Sequence, residues 1–211
     1  MIQITPANFA KIVDDAFSSH TQETRDANQK ALEQFMQADS NAFVKLCSQE
    51  FQNTANNVPM RVTISTLLKG AIAPSAYSGT ESIWTRMSAD TKEEAKTTGL
   101  TLLMDPNDSV RKAAASLVSK VFAIDWRTDK TWGGLIPIIT ENLQTDNKDV
   151  KRAATLTLGY ICEDLMQYGA AHLRLAPEID TIASNAALSR LLGCEEGTRW
   201  LRISSLRMEE G

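Results

Sequence analysis

Two stretches of the chain, forty residues apart, begin almost the same helix. The first reads NDSVRKAAASLVSKVF from Asn107, and the second reads NKDVKRAATLTLGYICEDL from Asn147. Each has an Asn, then Val, a basic pair and Ala-Ala. A single amphipathic unit of this kind cannot bury its apolar face alone, so a repeated one predicts stacking of similar units.

The repeat extends over most of the chain. When Val110 is aligned with Val150, the same frame also fits two earlier segments, ETRDANQKALEQF and VPMRVTISTLLKGAI. An amphipathic helix buries offsets 0, 3, 4, 7, 8 and 11 from its first frame position. Twenty of the 24 such residues are apolar, where a hydrophobic content of 43% would give about ten. The basic residue after the first frame position is, in turn, Arg25, Arg61, Arg111 and Lys151.

Each of these helices is preceded by a partner helix with a polar turn between them. The partners lie in TPANFAKIVDDAF, SNAFVKLCSQEF, ADTKEEAKTTGLTLLM and WGGLIPIITENL. Thr5 and Asp90 are the expected caps of the first and third partner, and Pro137 is expected to bend the fourth. The predicted fold is mainly α: an α-solenoid of about four helical hairpins over residues 5–165, with the second helix of each hairpin on the concave side.

The period and the turn chemistry resemble HEAT repeats. The resemblance is carried by Asp149-Val150-Lys151 and by Pro137 in the preceding helix. In that family an acid and a base at the turn form a ladder between neighbouring repeats. The resemblance therefore implies a structural role for a set of ladder residues, which are Arg25, Arg61, Arg111, Lys151 and Asp149.

Residues 1–165 resemble the N-terminal arm of the importin-β family more closely than HEAT repeats in general. The segments VPMRVTISTLLKGAI, SIWTRMSADTKEEAKTTGLTLL and VKRAATLTLGYICEDL occur in the family's order, with an irregular connection, APSAYSGTESIWTRM, in the third repeat. Three positions depart from the family pattern and affect individual partner contacts; they are Gly70, Ile83 and the Gly133-Gly134 pair.

The resemblance implies a nuclear import receptor, cytoplasmic and nuclear, that binds the GTP form of the small GTPase Ran through its inner-face helices. Phe-Gly nucleoporins and import cargo adaptors are further implied partners, weakened because later repeats are not in this chain. Lys69 matches a family position, while Lys112 and Arg152 neighbour ladder residues. These three are the predicted partner-binding residues; as an alternative, they are solvated helix-surface cations.

Residues 166–211 differ from the repeats in composition and pattern. The segments HLRLAPEIDTIA and TRWLRISSLRM alternate like strands, and SNAALSRLLGCEEG reads as a capped helix. This β-α-β pattern resembles the start of the UTRA effector-sensing domain of GntR-type bacterial regulators. It implies a truncated UTRA-like segment and a chimeric chain, whose tail either caps the solenoid end or packs poorly.

Other functions are less compatible with the sequence. A net charge of −4 argues against a nucleic-acid binder, and no apolar run is long enough for a membrane span. The three scattered cysteines, Cys47, Cys162 and Cys194, share no metal-type spacing and indicate a reducing compartment. No nucleophile elbow, phosphate loop or metal cluster occurs, so we predict no enzyme, no cofactor and no metal. A generic HEAT-repeat scaffold with another partner remains the alternative function.

Overall fold

The described part of the chain is helical. A computed structural model of the protein describes residues 2–73, 82–129 and 131–167, apart from the side chains at 162 and 165–167. Within these ranges there are eight α-helices, one 3₁₀ helix at Trp84–Arg86 and no strand. The α-helices are α1 (Phe9–Ser18), α2 (Gln22–Ala38), α3 (Ser40–Gln52), α4 (Val58–Ile72), α5 (Ala89–Leu102), α6 (Asp108–Thr128), α7 (Leu135–Gln144) and α8 (Lys148–Gln167).

Polar side chains determine where most of these helices begin. Asn147 accepts hydrogen bonds from the backbone N–H groups of Asp149 and Val150 at the start of α8. Caps of this kind satisfy N–H groups that have no partner inside the helix. The residues that cap α2 to α6 in the same way are Thr21, Asp39, Asn57, Ser88 and Asn107.

The helices form four consecutive hairpins. Each odd-numbered helix packs on the even-numbered helix that follows it, across a turn of three to five residues. Between hairpins, α4 packs on α6 and α6 on α8, while α3 packs on α5. This confirms the predicted helical solenoid. Packing between hairpins is closest along α4, α6 and α8, so the second helices of these hairpins form one continuous layer.

The apolar frame read from the sequence defines the core of the third and fourth hairpins. Val110 and Val150 occupy equivalent positions on α6 and α8 and are both buried. All six frame positions of α8 are buried, as are all those of α6 except Ala113, which is half-buried. The largest buried side chains also include residues outside the frame, notably Phe9, Phe43, Phe51, Trp84 and Phe122.

The frame is less well buried in the first two hairpins. On α4 the positions Met60, Thr63 and Leu67 are only half-buried, although their equivalents on α6 and α8 are almost all buried. On α2 the frame residue Ala27 is exposed. The expectation that every frame position is buried is therefore wrong for these two helices, because α2 does not pack along α4 as α4 packs along α6.

Three helix-boundary expectations are wrong. The first helix begins at Phe9, after a turn, so Thr5 is not its cap; the backbone N–H of Thr5 instead donates to Asn8 Oδ1 at 2.8 Å. Ser88 rather than Asp90 caps α5. Pro137 lies in the first turn of α7, where an N–H has no partner inside the helix, so it does not interrupt the helix.

Phe17, near the end of α1, is 49% exposed although it is a large apolar residue. The predicted β-α-β tail lies outside the described residues, as do most of the irregular connection in the third repeat and the side chain of Cys162.

Candidate protein-binding surface

A buried ion pair ties the turn before α6 to the preceding hairpin. Arg61 of α4 donates from Nη2 to Asp105 at 2.6 Å, and the two side chains are 5% and 4% exposed. Arg61 Nε also donates to the carbonyl oxygen of Phe51 at 2.8 Å. Because both charges are removed from water, each depends on the other for its stabilisation.

Arg111 makes the corresponding link one hairpin further along. Its guanidinium donates to the carbonyl oxygens of Asp105 and Pro106, at 2.8 and 3.0 Å. It pairs with Asp108 at 3.3 Å and with Asp149 of α8 at 3.2 Å. The predicted ladder residues Arg61, Arg111 and Asp149 thus take part in two consecutive arginine–aspartate links.

The other two predicted ladder residues make no such link within the described ranges. Arg25 donates to the carbonyl oxygen of Ser19 and to Oε1 of Gln22, both in its own turn. These two contacts are equivalent to those of Arg111 with Asp105 and Asp108. Neither Arg25 nor Lys151 forms an ion pair with any described residue.

A recurring turn motif explains why Arg25 lacks an acid. Two positions before the helix cap, Ser19, Asp105 and Thr145 each accept a hydrogen bond from the backbone N–H of the cap, at 3.4, 2.8 and 3.3 Å. In the second hairpin this position is Ala55, which has no side-chain acceptor. The second turn therefore has no counterpart of Asp105 for Arg25 to reach, and Pro59 stands at the position that Asp149 holds in the fourth hairpin, so neither kind of acid is present.

The three predicted partner-binding residues lie on α4, α6 and α8. Lys69 donates from Nζ to Ser116 Oγ at 3.1 Å, so it links α4 to α6. Lys112 pairs with Asp108 at 2.7 Å and remains 45% exposed. Arg152 is exposed and occupies the position on α8 that Lys112 occupies on α6. Lys112 and Arg152 therefore form an adjacent pair of cations, whereas Lys69 takes part in the contact between hairpins.

The two cations act on a shared carboxylate. The hydrogen bond from Lys112 lowers the pKa of Asp108 below its ordinary value. The charges of Lys112, Arg152 and Arg111 lower it further, while desolvation opposes them. Because Arg111 also pairs with Asp149, the positive charge left at the start of α6 and α8 comes from Lys112 and Arg152 beside Asp108. We call Lys112, Arg152 and Asp108 the basic patch.

A groove of about 1110 Å³ lies between α2 and α4. Because it borders α4, it belongs to the same layer of helices as the basic patch. Its wall combines polar and apolar side chains. The polar residues are Glu33, Gln34, Gln37, Thr63 and Thr66, and the apolar residues are Phe17, Met36, Ala38, Val62, Leu67 and Ala71.

A second buried ion pair, not predicted from the sequence, joins α5 to the end of α6. Lys96 Nζ lies 3.1 Å from the carboxylate of Asp125, and the two side chains are 4% and 1% exposed. Lys96 Nζ also lies 5.5 Å from the ring centroid of Trp132 and 6.0 Å from that of Trp84. The two tryptophans are buried. A lysine ordinarily favours solvent, so the apolar periodicity did not predict a buried Lys96.

A further polar link missed by the sequence pattern joins α6 to α8. Ser119 Oγ donates to Asp164 at 2.8 Å, and Lys120 pairs with the other oxygen of the same carboxylate. Asp164 lies beyond the frame positions considered, so its partners on α6 could not be anticipated from spacing alone.

Within the described ranges, no three His, Cys, Asp or Glu side chains are grouped as a metal site. None of the helices found there is long and apolar enough to cross a membrane.

Stacked helical hairpins joined by arginine–aspartate links define an α-solenoid repeat protein, a class whose extended surfaces bind other proteins. The chain is similar in sequence to importin subunit beta-1: 26% identical over 165 residues for Saccharomyces cerevisiae, 27% over 159 for Arabidopsis thaliana and 24% over 185 for Schizosaccharomyces pombe. These alignments cover 76%, 74% and 84% of this chain, which spans 17–20% of the length of these relatives. No protein-family model matches the chain.

Solved structures with a similar fold are also importins. The Kap95:Nup1 complex gives a TM-score of 0.69 at 25% identity, and yeast importin-beta (Kap95p) gives 0.70 at 24%; each comparison covers 76% of this chain and 19% of that one. A third similar structure contains Kap95p with Ran; in it, Kap95p binding induces the switch loops of RanGDP to adopt the GTP-bound conformation. Its TM-score is 0.69 at 22% sequence identity, and the comparison covers 94% of this chain and 25% of that one.

These comparisons support homology to the HEAT-repeat region of importin subunit beta-1, as the sequence resemblance implied. The relatives are importin subunits and not enzymes, which confirms the prediction that the chain is not an enzyme. The Schizosaccharomyces pombe alignment covers 84% of the chain, which is more than the 78% that residues 1–165 make up (165 of 211). This alignment therefore reaches into residues 166–211. No comparison shows the predicted UTRA resemblance.

Proposed function

We propose that the chain is a protein-binding segment of a nuclear import receptor of the importin-β kind. The observation that carries this proposal is the match in both sequence and fold to importin subunit beta-1 over about three quarters of the chain. Because the chain spans about a fifth of these relatives, the proposal concerns the binding surface of the described repeats and not a complete transport cycle.

The proposed partner is the small GTPase Ran in its GTP form. Support comes from the structural likeness to Kap95p in a structure with Ran. In this chain the exposed cations Lys112 and Arg152 lie on α6 and α8, in the layer that the sequence predicts to be concave. Opposite charges on two surfaces accelerate encounter and fix the register of binding. The basic patch is therefore proposed to contact an acidic or switch surface of the GTPase.

Lys69 is proposed to contribute differently from the other two. Its ammonium group is already engaged by Ser116, so reversing its charge would disturb the α4–α6 contact as well as any partner contact. Among the described residues Lys112 and Arg152 form no hydrogen bond with a neighbouring hairpin, although the charge of Arg152 acts on Asp108 of α6, so they report binding more directly than Lys69.

The test is titration calorimetry of the chain with Ran loaded with a non-hydrolysable GTP analogue or with GDP. We expect the chain to bind the GTP-analogue form more tightly. The double change Lys112→Glu and Arg152→Glu should weaken binding by about tenfold or more and reduce its salt dependence. Lys45→Glu is the matched control, because Lys45 is exposed on α3 in the other helix layer. Equal affinity of the double variant and the control would contradict the basic patch as the contact.

A generic scaffold with another partner is the alternative function, and one observation favours it. Lys69, the partner-binding residue taken from the family resemblance, serves a contact between hairpins in this chain. If neither nucleotide form of Ran binds a chain whose circular dichroism shows folded helices, the scaffold is the better description.

Phe-Gly nucleoporins and import cargo adaptors remain proposed partners, the former supported by the likeness to Kap95 in complex with Nup1. A cytoplasmic and nuclear location is proposed on the same basis. The UTRA-like segment at 166–211 stays a prediction. A thermal-shift screen with small sugars and amines would test it, and a shift lost on removal of residues 166–211 would support it.

A further inference from the structure

We infer that the first hairpin, α1–α2, is a hinged unit that rotates against the other three hairpins and so opens and closes the groove between α2 and α4. The inference rests on contacts inside the chain and does not depend on which partner binds.

The joint between the second and third hairpins is crossed by many side-chain hydrogen bonds. They come from both layers of helices and include the buried charge pair described above. Directional contacts on two sides of a joint fix the angle between the units they connect. The links are Asn41–Ser88 at 2.9 Å, Gln52–Thr98 at 2.9 Å, Arg61–Asp105 at 2.6 Å, Ser65 to the carbonyl of Ala113 at 3.3 Å and Lys69–Ser116 at 3.1 Å.

The joint between the third and fourth hairpins is linked in the same manner. Arg111 pairs with Asp149 near the start of the two inner helices. Further along the same helices, Ser119 and Lys120 both bind Asp164. The inner helices α6 and α8 are thus joined at two places well separated along their length.

The joint between the first and second hairpins has none of these links. Among the described residues, the hydrogen bonds near it are local to the connection itself, such as Ser40 Oγ to the carbonyl oxygen of Met36 at 3.0 Å. Apolar contacts hold the joint instead: Phe43 meets the rings of Phe9 and Phe35 edge-on, with centroids 6.3 and 6.2 Å apart. These contacts are made by packed aromatic rings and include no hydrogen bond that would fix the angle between the two hairpins.

The connection between the two hairpins has the form of a pivot. Asp39 is the single residue between α2 and α3, and it serves as the C-cap of one and the N-cap of the other. Hinges are typically a few element-terminal residues that absorb a change in backbone angles. The groove gives the motion room, since Thr63 and Leu67 on α4 line it and remain half-buried.

Distances between spin labels on the full chain test the inference. One pair, Lys11→Cys with Lys45→Cys, spans the first joint; the other, Lys45→Cys with Thr97→Cys, spans the second. All three positions are exposed and outside the groove lining. Cys162 and Cys194 are replaced by serine in both, whereas Cys47 is buried and stays unlabelled. We expect a clearly broader distance distribution across the first joint, and equal widths would overturn the inference.

A variant designed to restore an ion pair across the first joint tests the proposed cause of the hinge. Ala55→Asp supplies a carboxylate at the position that Asp105 holds in the next turn, and we expect it to pair with Arg25 across the first joint. Ala55→Asn is the matched control, because it supplies the oxygen for the cap N–H without the charge. We expect Ala55→Asp to narrow the distribution across the first joint and Ala55→Asn to leave it broad. An unchanged width with Ala55→Asp would overturn the missing ion pair as the origin of the hinge.

Discussion

Arg61 and Asp105 form an ion pair that is buried on both sides, whereas the Arg111–Asp149 pair one hairpin later has an acid that is 67% exposed. The two acids lie at different positions of the repeat, since Asp105 is two residues before its helix cap and Asp149 is two residues after its own, and only the first is removed from water. The energetic consequences of losing the two acids should differ accordingly.

Asp105→Ala is expected to lower the free energy of unfolding by about 3–5 kcal/mol, because it leaves the buried charge of Arg61 without a partner. It also removes the acceptor for the backbone N–H of Asn107. Urea denaturation followed by circular dichroism measures the change.

Asp149→Ala is the comparison for that experiment. Since this carboxylate is mostly in water, its loss is expected to cost about 0–1 kcal/mol. Similar losses for the two variants would show that burial does not distinguish the two links.

Asp125→Ala is expected to destabilise the chain more than Lys96→Met. The carboxylate of Asp125 accepts from the backbone N–H groups of Thr131 and Trp132 at 3.0 and 2.8 Å, as well as pairing with Lys96. Its loss leaves several buried donors unpaired, at a cost of about 3 kcal/mol or more. Lys96→Met preserves volume and leaves Asp125 three hydrogen bonds, from the backbone N–H groups of Thr131 and Trp132 and from the Thr131 hydroxyl. We therefore expect it to lower the free energy of unfolding by about 1–2 kcal/mol. Thermal unfolding of both variants gives the order, and the reverse order would contradict it.

Gly99→Ala is expected to destabilise the third hairpin despite the higher helix propensity of alanine. A Cβ at Gly99 would lie 2.7 Å from Cγ2 of Val118, a buried and β-branched side chain on α6. Overpacking of this kind costs about 1–3 kcal/mol, against about 1 kcal/mol gained from propensity.

Gly159→Ala is the matched control in α8, where a Cβ meets nothing within 4 Å. It should raise the melting temperature, whereas Gly99→Ala should lower it. A stabilising effect at both positions would show that α5 and α6 can separate without cost.

The pKa of the Asp108 carboxyl is expected to rise toward its ordinary value in Lys112→Gln, because the hydrogen bond and charge of Lys112 are the main causes of its depression. A depressed folded-state pKa stabilises the fold above the ordinary pKa of about 3.9, and this contribution is lost as the pH falls through the lower folded value. Carboxyl-selective NMR titration measures the pKa directly. Lys45→Gln, on the other helix layer, should leave it unchanged.

The repeat and its apolar frame could be predicted from the sequence because they depend on period and residue type. Val110 and Val150 are buried as the frame requires, and the Asn residues before them cap their helices. A period of about 40 residues with polar turns is sufficient to specify a stack of hairpins.

What the sequence did not predict depends on how successive hairpins are placed against one another. Lys96 is buried only because two tryptophans and Asp125 surround it, and those partners come from three separate parts of the chain. Phe17 fits an apolar face but is half-exposed because α2 does not cover α4. Arg25 matches the ladder frame by residue type, yet the alanine at position 55 removes the acid it would need.

The tryptophans of the described residues are confined to a short part of the structure, with Trp84, Trp126 and Trp132 all lying between the 3₁₀ helix and the start of α7. In a Trp200→Phe variant, which removes the fourth tryptophan of the chain, their fluorescence reports the third hairpin and its junction with the fourth, while circular dichroism reports every helix. If the first hairpin melts as a separate cooperative unit, the two signals will give non-coincident unfolding curves, with the ellipticity falling first. The uneven placement of one residue type thus gives the chain an internal reporter that does not sense its N-terminal end.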